Sequence, residues 1–400
     1  MTVATTLGPG VTIGVIGAGA MGAGIAQVAA QRGHPVVLAD AAAGSIAKAK
    51  DGHAKAIARD VEKGRLTREE GDAVLARLTY VSGVGEQELR HFAPCALVIE
   101  AIVEDLAIKQ GLFRALEQVV AHDAVLATNT SSLSVAALAG ACAHAERVVG
   151  IHFFNPAPVM PLVEIIPALA TDAAVAQASR ELIERWGKLP VMASDTPGFI
   201  VNRIARPFYG EALRILEEGI ADCATIDWAM RSIGGFKMGP FELMDFIGND
   251  VNHAVTRSVF EAMYFDPRYR PALTQRRLVE SGWLGRKAKR GYYDYRDGAA
   301  APAPTEDAAL GRVIFDRIIA MLVNEAADAV QLRVASPEDI ELAMTKGVNY
   351  PKGLLAWGDE IGASAVLATL ESLQAEYGED RYRPSPLLRR VAKSGGRLFA

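Results

Sequence analysis

Cysteine is scarce in this sequence: only Cys95, Cys142 and Cys223 occur among 400 residues, and they stand far apart. This number and spacing exclude a disulfide framework and the closely paired cysteines of a zinc site. We therefore expect a reducing, cytoplasmic compartment and predict no bound metal ion.

An excess of either charge is also absent. The 42 Lys and Arg residues nearly balance the 47 Asp and Glu residues, for a formal net charge of −5, which excludes a general nucleic-acid binder and a polybasic membrane protein. One uncharged run, Val11 to Gln31, has the length of a membrane span, but five glycines interrupt it and no Lys or Arg precedes Arg32. We predict neither a membrane segment nor a signal peptide. Any anionic ligand must therefore be bound by a local site.

The first half of the sequence alternates short β-branched runs with longer Ala-rich amphipathic runs. This pattern is typical of a parallel sheet wrapped in helices. After Asp195 the alternation stops, and the chain is predicted to be helical from Gly198 onward. The predicted strands are Val11–Ile16, Pro35–Ala39, Ala96–Ala101, Val125–Thr128, Val148–Phe154, Val163–Ile166 and Pro190–Met192.

The second half contains a repeated segment. Arg203–Gly248 aligns with Arg317–Gly362 at a constant offset of 114 without a gap, and glycines and polar residues keep register, as in a tandem duplication of one helical unit. The Ala/Pro-rich stretch GAAAPAPT at 298–305 has the composition of a linker. We predict an α/β domain at 1–195, a helical domain at 196–298, a linker at 299–305 and a second helical copy at 306–400. Chance similarity between two Ala-rich segments is the alternative.

A dinucleotide site is predicted near the start of the chain. The first strand runs directly into Gly17-Ala18-Gly19-Ala20-Met21-Gly22 and then into a helical run. Glycines in this context allow a tight turn, close approach of the backbone to a pyrophosphate and close helix–strand packing, and the helix N-terminus favours negative charge. Asp40 ends the second strand, where its carboxylate can accept hydrogen bonds from a ribose and would repel a 2′-phosphate, which favours NAD over NADP. A glycine-rich turn without a ligand is the alternative.

The segment IHFFNPAPVMPLVEII, residues 151–166, has two apolar runs around a loop with three prolines. His152 and Glu164 are equidistant from the midpoint of that loop, near Pro158. If the runs pair antiparallel, these side chains become cross-strand neighbours about 4.5–5.5 Å apart. A carboxylate on one imidazole nitrogen fixes the tautomer and leaves the other nitrogen to act as base or acid. A purely structural His–Glu hydrogen bond is the alternative.

Two further polar groups are candidate substrate contacts. The cluster Asn129-Thr130-Ser131-Ser132 follows a predicted strand at its carboxyl end, where open α/β sheets place ligands. The segment DTPGFIVNR, residues 195–203, places Asn202 on the first turns of a helix. Serine and asparagine orient a substrate oxygen rather than exchange protons, so Ser131 and Asn202 fit beside a base. Taken singly, each is more often a cap or a turn residue.

The sequence resembles one known family across about residues 11–295. The motifs that carry the resemblance are GAGAMGAGIA, VIEAIVEDLAIK, TNTSSL, GIHFFNPAPVMPLVEII, DTPGFIVNR and MGPFELMDFIG. Together they are similar to the L-3-hydroxyacyl-CoA dehydrogenases. The resemblance implies a Rossmann-type NAD-binding domain followed by two tandem all-helical domains. It also implies reversible, NAD-dependent oxidation of a 3-hydroxyacyl-CoA, in fatty acid or phenylacetate degradation.

The resemblance also implies a role for individual residues. His152 is then the catalytic base and Glu164 its partner, while Ser131 and Asn202 contact the substrate and help to hold the reacting oxygen. The implied NAD contacts are Gly17, Gly19, Ala20, Met21, Gly22, Asp40, Glu104, Lys109, Asn155 and Lys287. For Glu104 and Lys109, a helix-surface ion pair is the alternative.

CoA is polyanionic, and the sequence offers one basic run to meet it. In the family, the helical excursion after the second strand lies along CoA, so the resemblance implies that Lys63 and its neighbours bind phosphate. A solvated helix face is the alternative. The run comprises Lys48, Lys50, Lys55, Arg59, Lys63, Arg65 and Arg68.

The tandem layout is similar to the phenylacetate-pathway type, which acts on 3-hydroxyadipyl-CoA, and 3-hydroxybutyryl-CoA is the alternative substrate. In single-copy family members the helical unit carries the dimer contact, whereas tandem relatives can pack two units within one chain, so the oligomeric state stays open.

Two rival functions also stay open. One is a β-hydroxyacid dehydrogenase with a catalytic lysine, where this sequence has Asn202. The other is a non-enzymatic NAD-binding protein.

Overall fold

The computed structural model describes residues 7–399. It divides the chain into two compact units, of which the first ends at Thr196 and the second begins at Pro197. Among the described residues, no helix combines the length and the apolar character that crossing a bilayer requires. Within the same range, no three His, Cys, Asp or Glu side chains are grouped so that they could hold a metal ion.

The first unit is built on one eight-stranded sheet with the order β3-β2-β1-β4-β5-β6-β7-β8. All neighbouring strands run parallel except β6 and β7, which pair antiparallel. Strands β5 and β6 are buried at every position, as expected for a sheet with helices on its faces. The strands are Thr12–Ile16 (β1), Val36–Asp40 (β2), Leu78–Ser82 (β3), Cys95–Glu100 (β4), Val125–Thr128 (β5), Val148–Phe153 (β6), Leu162–Pro167 (β7) and Leu189–Met192 (β8).

All seven predicted strands are present, each within one residue of its predicted ends. The sequence did not predict β3, which lies at the edge of the sheet. Its sequence LTYVS lacks a continuous apolar run, because Thr79 and Ser82 are exposed at this edge. Edge strands expose part of their surface to water, so the apolar pattern that identifies central strands is weaker there.

Most helices of the first unit begin where a side chain satisfies free backbone N–H groups. Thr67 and Glu70 form a reciprocal capping box, and Asp105 and Asp172 each accept a hydrogen bond from the first turn of the helix that follows. These caps mark helix starts between the strands. The helices are Ala20–Gln31 (α1), Ala43–Glu62 (α2), Arg68–Ala76 (α3), Glu86–Leu89 (α4), Leu106–Glu117 (α5), Val135–Ala139 (α6) and Ala173–Arg185 (α7).

The second unit is helical, as the loss of strand patterning after Asp195 predicts. Apart from two isolated β-bridges at Arg290, every regular element that the structure describes here is a helix. The stretch 298–305 contains neither helix nor strand. The helices are Val201–Ile204 (α8), Arg206–Glu217 (α9), Cys223–Ser232 (α10), Pro240–Ile247 (α11), Asn249–Ala262 (α12), Leu273–Glu280 (α13), Ala308–Gln331 (α14), Pro337–Gly347 (α15), Leu354–Ile361 (α16), Ala363–Tyr377 (α17) and Pro386–Ser394 (α18).

Residues that align at the offset of 114 make equivalent contacts in the two segments of the repeat. In each segment, a carboxylate on one helix accepts hydrogen bonds from two consecutive backbone amides at the start of the next helix. These bonds run from Phe241 and Glu242 to Asp227, and from Leu355 and Ala356 to Glu341. Equivalent side chains therefore fix equivalent helix starts.

Two fully buried glutamates, Glu211 and Glu325, connect the segments of the repeat reciprocally. Arg203 of the first segment pairs with Glu325 of the second at 2.7 Å, while Arg317 of the second pairs with Glu211 of the first at 3.0 Å. Each glutamate also binds one further arginine and one tyrosine hydroxyl, which satisfies its carboxylate without water. The added partners are Arg268 and Tyr269 on Glu325, and Arg381 and Tyr382 on Glu211. We name these nine-tenths-buried groups the crossed carboxylate cluster.

Candidate active site

His152 and Glu164 face each other across the antiparallel pair β6–β7, in direct register. Nδ1 of His152 lies 2.7 Å from Oε2 of Glu164, and both side chains are buried. The sequence predicted that the two would be cross-strand neighbours, and this is confirmed. Side chains alternate between the faces of a strand, so Ile151 and Phe153 point away from the pair. The result is a polar pair inside an otherwise apolar hairpin.

The loop between β6 and β7 is held by a buried lysine. Nζ of Lys188, which directly precedes β8, donates to the carbonyl oxygens of Ala157 and Met160 at 2.6 and 2.8 Å. Burial, with a smaller contribution from the nearby charge of Arg32, lowers the pKa of Lys188 to about 8. An amine donates hydrogen bonds in either protonation state, so the loop stays tied to β8 across the neutral range.

The end of β6 is fixed by the strand beside it. Oδ1 of Asn129, the residue after β5, accepts the backbone N–H of Phe153 at 2.8 Å. The backbone N–H of Asn129 itself donates to the carbonyl of Glu100 at the end of β4. Asn129 therefore aligns three strand ends next to His152. The sequence showed Asn129 only as part of a polar cluster, since an asparagine after a strand does not reveal which segment it contacts.

Glu104, in the loop between β4 and α5, organises the polar cluster after β5. Its Oε1 accepts the hydroxyl of Thr130, the backbone N–H of Ser131 at 3.1 Å and the hydroxyl of Ser132 at 3.1 Å. Three donors from consecutive residues converge on one oxygen. The position of Ser131 is therefore set by a carboxylate that lies 27 residues earlier in the chain.

Lys109 lies behind Glu104 and is almost completely buried, with 1% of its surface exposed. Its Nζ lies 3.0 Å from Oε2 of Glu104 and 2.7 Å from Oε1 of Glu100. The ion pair that we considered as an alternative does form, between the buried Lys109 of α5 and the exposed Glu104 of the preceding loop. A direct contact of either residue with NAD stays a prediction.

The charge state of Glu104 follows from these contacts. Burial alone would raise the pKa of Glu104, but the charge of Lys109 and the hydrogen bonds from Thr130 and Ser132 outweigh burial and hold the pKa below its usual value. The group is therefore an ionised acceptor throughout the neutral range. Its folded-state pKa is depressed, so the stability that it contributes is lost only as the pH falls through that low value.

A second carboxylate, Asp195, fixes the other end of the polar cluster. It accepts the hydroxyl of Ser134 at 2.9 Å and the backbone N–H groups of Val135 and Ala136 at 3.0 and 2.7 Å. These contacts hold the start of α6, directly after the serines. The sequence showed Asp195 only as the start of the motif that contains Asn202, because nothing local indicates a partner sixty residues away.

The glycine motif joins β1 to α1 as predicted. Gly17 has φ +103°, and a Cβ atom there would lie 2.3 Å from the carbonyl oxygen of Ala101, while a Cβ at Gly22 would lie 1.8 Å from the carbonyl oxygen of Gly17. By contrast, a Cβ at Gly19 would meet nothing within 4 Å. The two outer glycines are thus required by packing, and the middle one faces open space.

The N-terminus of α1 is suited to a phosphate group. The helix begins at Ala20, its N-cap residue Gly19 provides no capping side chain, and its first turn contains no acidic residue. Uncapped N–H groups and the helix dipole favour an anion at this position. Asp40, at the end of β2, accepts the backbone N–H groups of Ala18 and Ala42 at 2.7 and 2.8 Å, one on each oxygen. A carboxylate has further lone pairs, so Asp40 can also accept ribose hydroxyls. These residues fit NAD.

The remaining predicted residues lie on both units. Asn155 is exposed in the loop between β6 and β7, and Lys63 is exposed at the end of α2. In the second unit, Asn202 lies in α8, and Lys287 lies on a short 3₁₀ turn, 2.6 Å from Asp250. In the first unit, the structure therefore brings together the glycine motif, Asp40, Ser131 and His152 at one edge of the sheet, where the parallel strands end.

Sequence models of one family match almost the whole chain. The model described as "3-hydroxyacyl-CoA dehydrogenase, NAD binding domain" matches residues 12–196, and that described as "3-hydroxyacyl-CoA dehydrogenase, C-terminal domain" matches residues 198–295 and 313–397. The chain belongs to the 3-hydroxyacyl-CoA dehydrogenase family. It is an NAD-dependent oxidoreductase, and the predicted fold class, a Rossmann-type domain followed by a helical region, is confirmed.

Several known proteins are similar to this chain. A 3-hydroxyadipyl-CoA dehydrogenase of Escherichia coli K12 is 41% identical over 95% of this chain and 97% of its own. A 3-hydroxybutyryl-CoA dehydrogenase of Bradyrhizobium diazoefficiens is 43% identical over 73% of this chain and 97% of its own. A crystal structure named 3-hydroxybutyryl-CoA dehydrogenase, from Escherichia coli K12, has a TM-score of 0.90 and 39% identity over 97% of this chain and all of its own.

Proposed function

We propose that the chain catalyses the reversible oxidation of an (S)-3-hydroxyacyl-CoA to the 3-ketoacyl-CoA with His152 as general base. The observation that carries the proposal is the buried contact of 2.7 Å between Nδ1 of His152 and Oε2 of Glu164. A histidine oriented by a buried carboxylate is a recurrent general acid–base arrangement. Degradation of fatty or aromatic acids is the proposed metabolic setting.

The proposed mechanism assigns one proton transfer to His152. Nε2 of His152 takes the proton of the substrate hydroxyl, and Glu164, bound to Nδ1, stabilises the imidazolium that forms. In the reverse direction, the imidazolium returns the proton to the oxygen of the 3-keto group. NAD, when bound, supplies the carbon that accepts the hydride from C3. Because Glu164 is fully buried, its charge is screened little by water.

Ser131 and Asn202 are proposed to hold the reacting oxygen. Neither side chain carries a charge, so each can donate a hydrogen bond to an oxygen that becomes negative without competing for its proton. Ser131 owes its position to Glu104, which binds its backbone N–H. Asn202 owes its position to the first turn of α8. We propose that the side chains of both residues then bind the substrate oxygen.

NAD is proposed to bind across the carboxyl edge of the sheet. Its pyrophosphate would lie against the N-terminus of α1, where Gly19, Ala20 and Met21 leave the backbone accessible, and its adenosine ribose would lie against Asp40. The residues proposed to line the rest of the cofactor are Glu104, Lys109, Asn155 and Lys287. The proposed CoA contact, Lys63, lies with the other basic residues of 48–68 on exposed positions of and after α2.

Replacing Asp40 with Asn should change the cofactor preference. The variant keeps one acceptor oxygen and loses the charge that repels a 2′-phosphate, so we expect the ratio of kcat/KM for NADH over NADPH to fall about tenfold or more. Steady-state kinetics with both cofactors measures this ratio. Asp51→Asn, an exposed change on α2, is the matched control. An unchanged ratio in D40N, or equal efficiency of the unaltered protein with both cofactors, would remove the role given to Asp40.

We propose two candidate classes for the acyl chain that the protein prefers. Relatives carry names that specify 3-hydroxyadipyl-CoA or 3-hydroxybutyryl-CoA. We expect the protein to oxidise NADH when given 3-ketoacyl-CoA esters, and the disappearance of NADH absorbance with acetoacetyl-CoA, 3-ketohexanoyl-CoA and 3-ketoadipyl-CoA ranks the substrates. Reduction of none of these esters would sink the proposed function and favour a non-enzymatic NAD-binding protein.

A further inference from the structure

One buried arginine differs from all the others. Six arginines are buried among the residues that the structure describes, and five of them lie within 4.0 Å of a carboxylate. Arg206, at the start of α9 and 6% exposed, has no carboxylate partner among residues 7–399. The five paired arginines are Arg147, Arg203, Arg268, Arg317 and Arg381.

Within the described part of the chain, the contacts of Arg206 are with neutral groups. Its Nε donates to the carbonyl oxygen of Asn202 at 2.8 Å, and its Nη1 donates to the hydroxyl of Thr256 at 3.0 Å. The guanidinium carbon lies 4.9 Å from the ring centre of Tyr209. These contacts orient the guanidinium but do not neutralise it. Nη2 has no hydrogen-bond partner among the described residues.

A buried hydroxyl without a hydrogen-bond partner belongs to the same helical unit. Tyr350, which follows α15, has a buried hydroxyl without a hydrogen-bond partner in the described part of the chain. Its ring packs 5.7 Å from that of Phe208, two residues after Arg206. Burial lowers the pKa of Arg206, and the neighbouring Tyr209 and Tyr350 raise it by less. A buried cation without a carboxylate partner and a buried hydroxyl without a hydrogen-bond partner thus occur in the same helical unit.

Leaving a cation in this state is costly. Burying an ion without a counter-ion is strongly unfavourable, and burying a hydroxyl without a hydrogen-bond partner is also unfavourable. The chain has carboxylates for its other five buried arginines, so the lack at Arg206 is specific to this site. An anion that carries its own hydrogen-bond acceptors would satisfy both groups at once.

We propose that Arg206, assisted by the hydroxyl of Tyr350, binds a carboxylate at the far end of the substrate's acyl chain. This inference rests on the proposed function and selects the dicarboxylic substrate class within it. Arg206 would then determine specificity without taking part in proton or hydride transfer.

The position of Arg206 relative to Asn202 supports this role. The two residues lie four apart, in the adjoining helices α8 and α9, and the hydrogen bond from Nε to the Asn202 carbonyl holds the side chain of Arg206 against the backbone of Asn202. In a six-carbon dicarboxylic chain, three C–C bonds of about 1.5 Å each separate C3 from the terminal carboxyl carbon. If Asn202 holds the oxygen on C3, that carboxylate reaches the adjacent turn.

The test compares two esters of equal chain length, 3-ketoadipyl-CoA and 3-ketohexanoyl-CoA, which differ only in a terminal carboxylate or methyl group. For each protein, the measured quantity is the ratio of kcat/KM for the first ester over the second, so that general damage to the enzyme cancels. The unaltered protein should favour the dicarboxylic ester. Arg206→Met should lower the ratio about 30-fold or more, and Arg206→Lys, which keeps the charge, should give an intermediate ratio.

Tyr350→Phe provides an independent measurement that does not alter the buried charge. It should lower the ratio about fivefold, as expected for the loss of one hydrogen bond. If R206M does not fold, this variant alone tests the carboxylate site. Arg389→Met, a change at an exposed arginine on α18, should keep the wild-type ratio. Ratios that are the same in R206M, or in Y350F, as in the unaltered protein would overturn the carboxylate site.

The result for the unaltered protein separates the two levels of the proposal. Equal efficiency with both esters would overturn the carboxylate site and leave the proposed dehydrogenase function standing. Turnover of neither ester, nor of acetoacetyl-CoA, would remove the proposed function and this inference with it.

Discussion

Replacing His152 with Gln should lower kcat for the reduction of acetoacetyl-CoA by NADH about 100- to 10,000-fold, the range that a general acid–base group supplies. Glutamine retains a polar group near Glu164 but cannot exchange a proton at neutral pH. The rest of the first unit, including the Glu104 network, does not depend on the imidazole. We therefore expect the variant to bind NADH as the unaltered protein does, which equilibrium fluorescence titration measures beside the kinetics.

Two further variants make this experiment specific. His91→Gln changes an exposed histidine and should keep full activity. Glu164→Gln keeps a hydrogen-bond partner for His152 but removes the charge that stabilises the imidazolium, so its loss of kcat should be smaller than that of H152Q. Near wild-type turnover by H152Q would exclude His152 as the base and leave the His152–Glu164 contact as a structural hydrogen bond.

Replacing Glu211 with Gln should destabilise the second unit by about 3–5 kcal/mol, because removing one member of a buried ion pair leaves its partner charged and unpaired. Glu211 is the carboxylate on which Arg317 and Arg381 converge, and Arg381 has no other carboxylate partner among the described residues. The midpoint of denaturant unfolding, followed by circular dichroism of the helices, measures the change.

An exposed pair provides the control for this measurement. Glu371→Gln removes the partner of Arg389 at the surface, where an ion pair contributes about 0–1 kcal/mol, and the unfolding midpoint should hardly move. An equally small shift in E211Q would show that the crossed carboxylate cluster does not stabilise the unit.

The charge of Glu325 determines how the cluster responds to pH. Burial raises the pKa of Glu325, but the charges of Arg203 and Arg268 lower it by more, so the pKa lies below its usual value. Its contribution is therefore present at neutral pH and lost only as the pH falls through that depressed value.

The hairpin of His152 and Glu164 was predictable because its information is local. Two apolar runs and a proline-rich loop fix an antiparallel pairing, and the period of two residues then decides which side chains meet. The join between β1 and α1 was predictable for the same reason, since each glycine there acts on neighbouring backbone. These elements needed no knowledge of the rest of the fold.

The contacts that position the site were not predictable, because their partners are distant in sequence. Asp195 holds the start of α6 sixty residues earlier, and Glu104 holds Ser131 from another loop. A short polar side chain in a loop has many potential partners, and only the order of the strands selects one. Arg206 was missed for a related reason: a basic residue on a helix reads as solvated until its burial is known.

We propose that the repeated segments arose by tandem duplication and that only the first carries an active site. At the offset of 114, Asp316 takes the place of Asn202. Asp316 is paired with Arg312 on the same helix at 2.9 Å, so it is engaged in a surface contact of α14. The second segment would then serve as structural support and, through Tyr350, as a source of one group beside Arg206.

The reciprocal ion pairs of the crossed carboxylate cluster determine how the stability of the second unit depends on protein concentration. Arg203 and Glu325, like Arg317 and Glu211, would make the same contacts if the two segments were separate molecules related by a two-fold axis. The assembly would then fall apart at low protein concentration. Within one chain the partners cannot diffuse away from each other, so their effective concentration is fixed by the connecting chain. The folded second unit should therefore keep the same stability at any protein concentration.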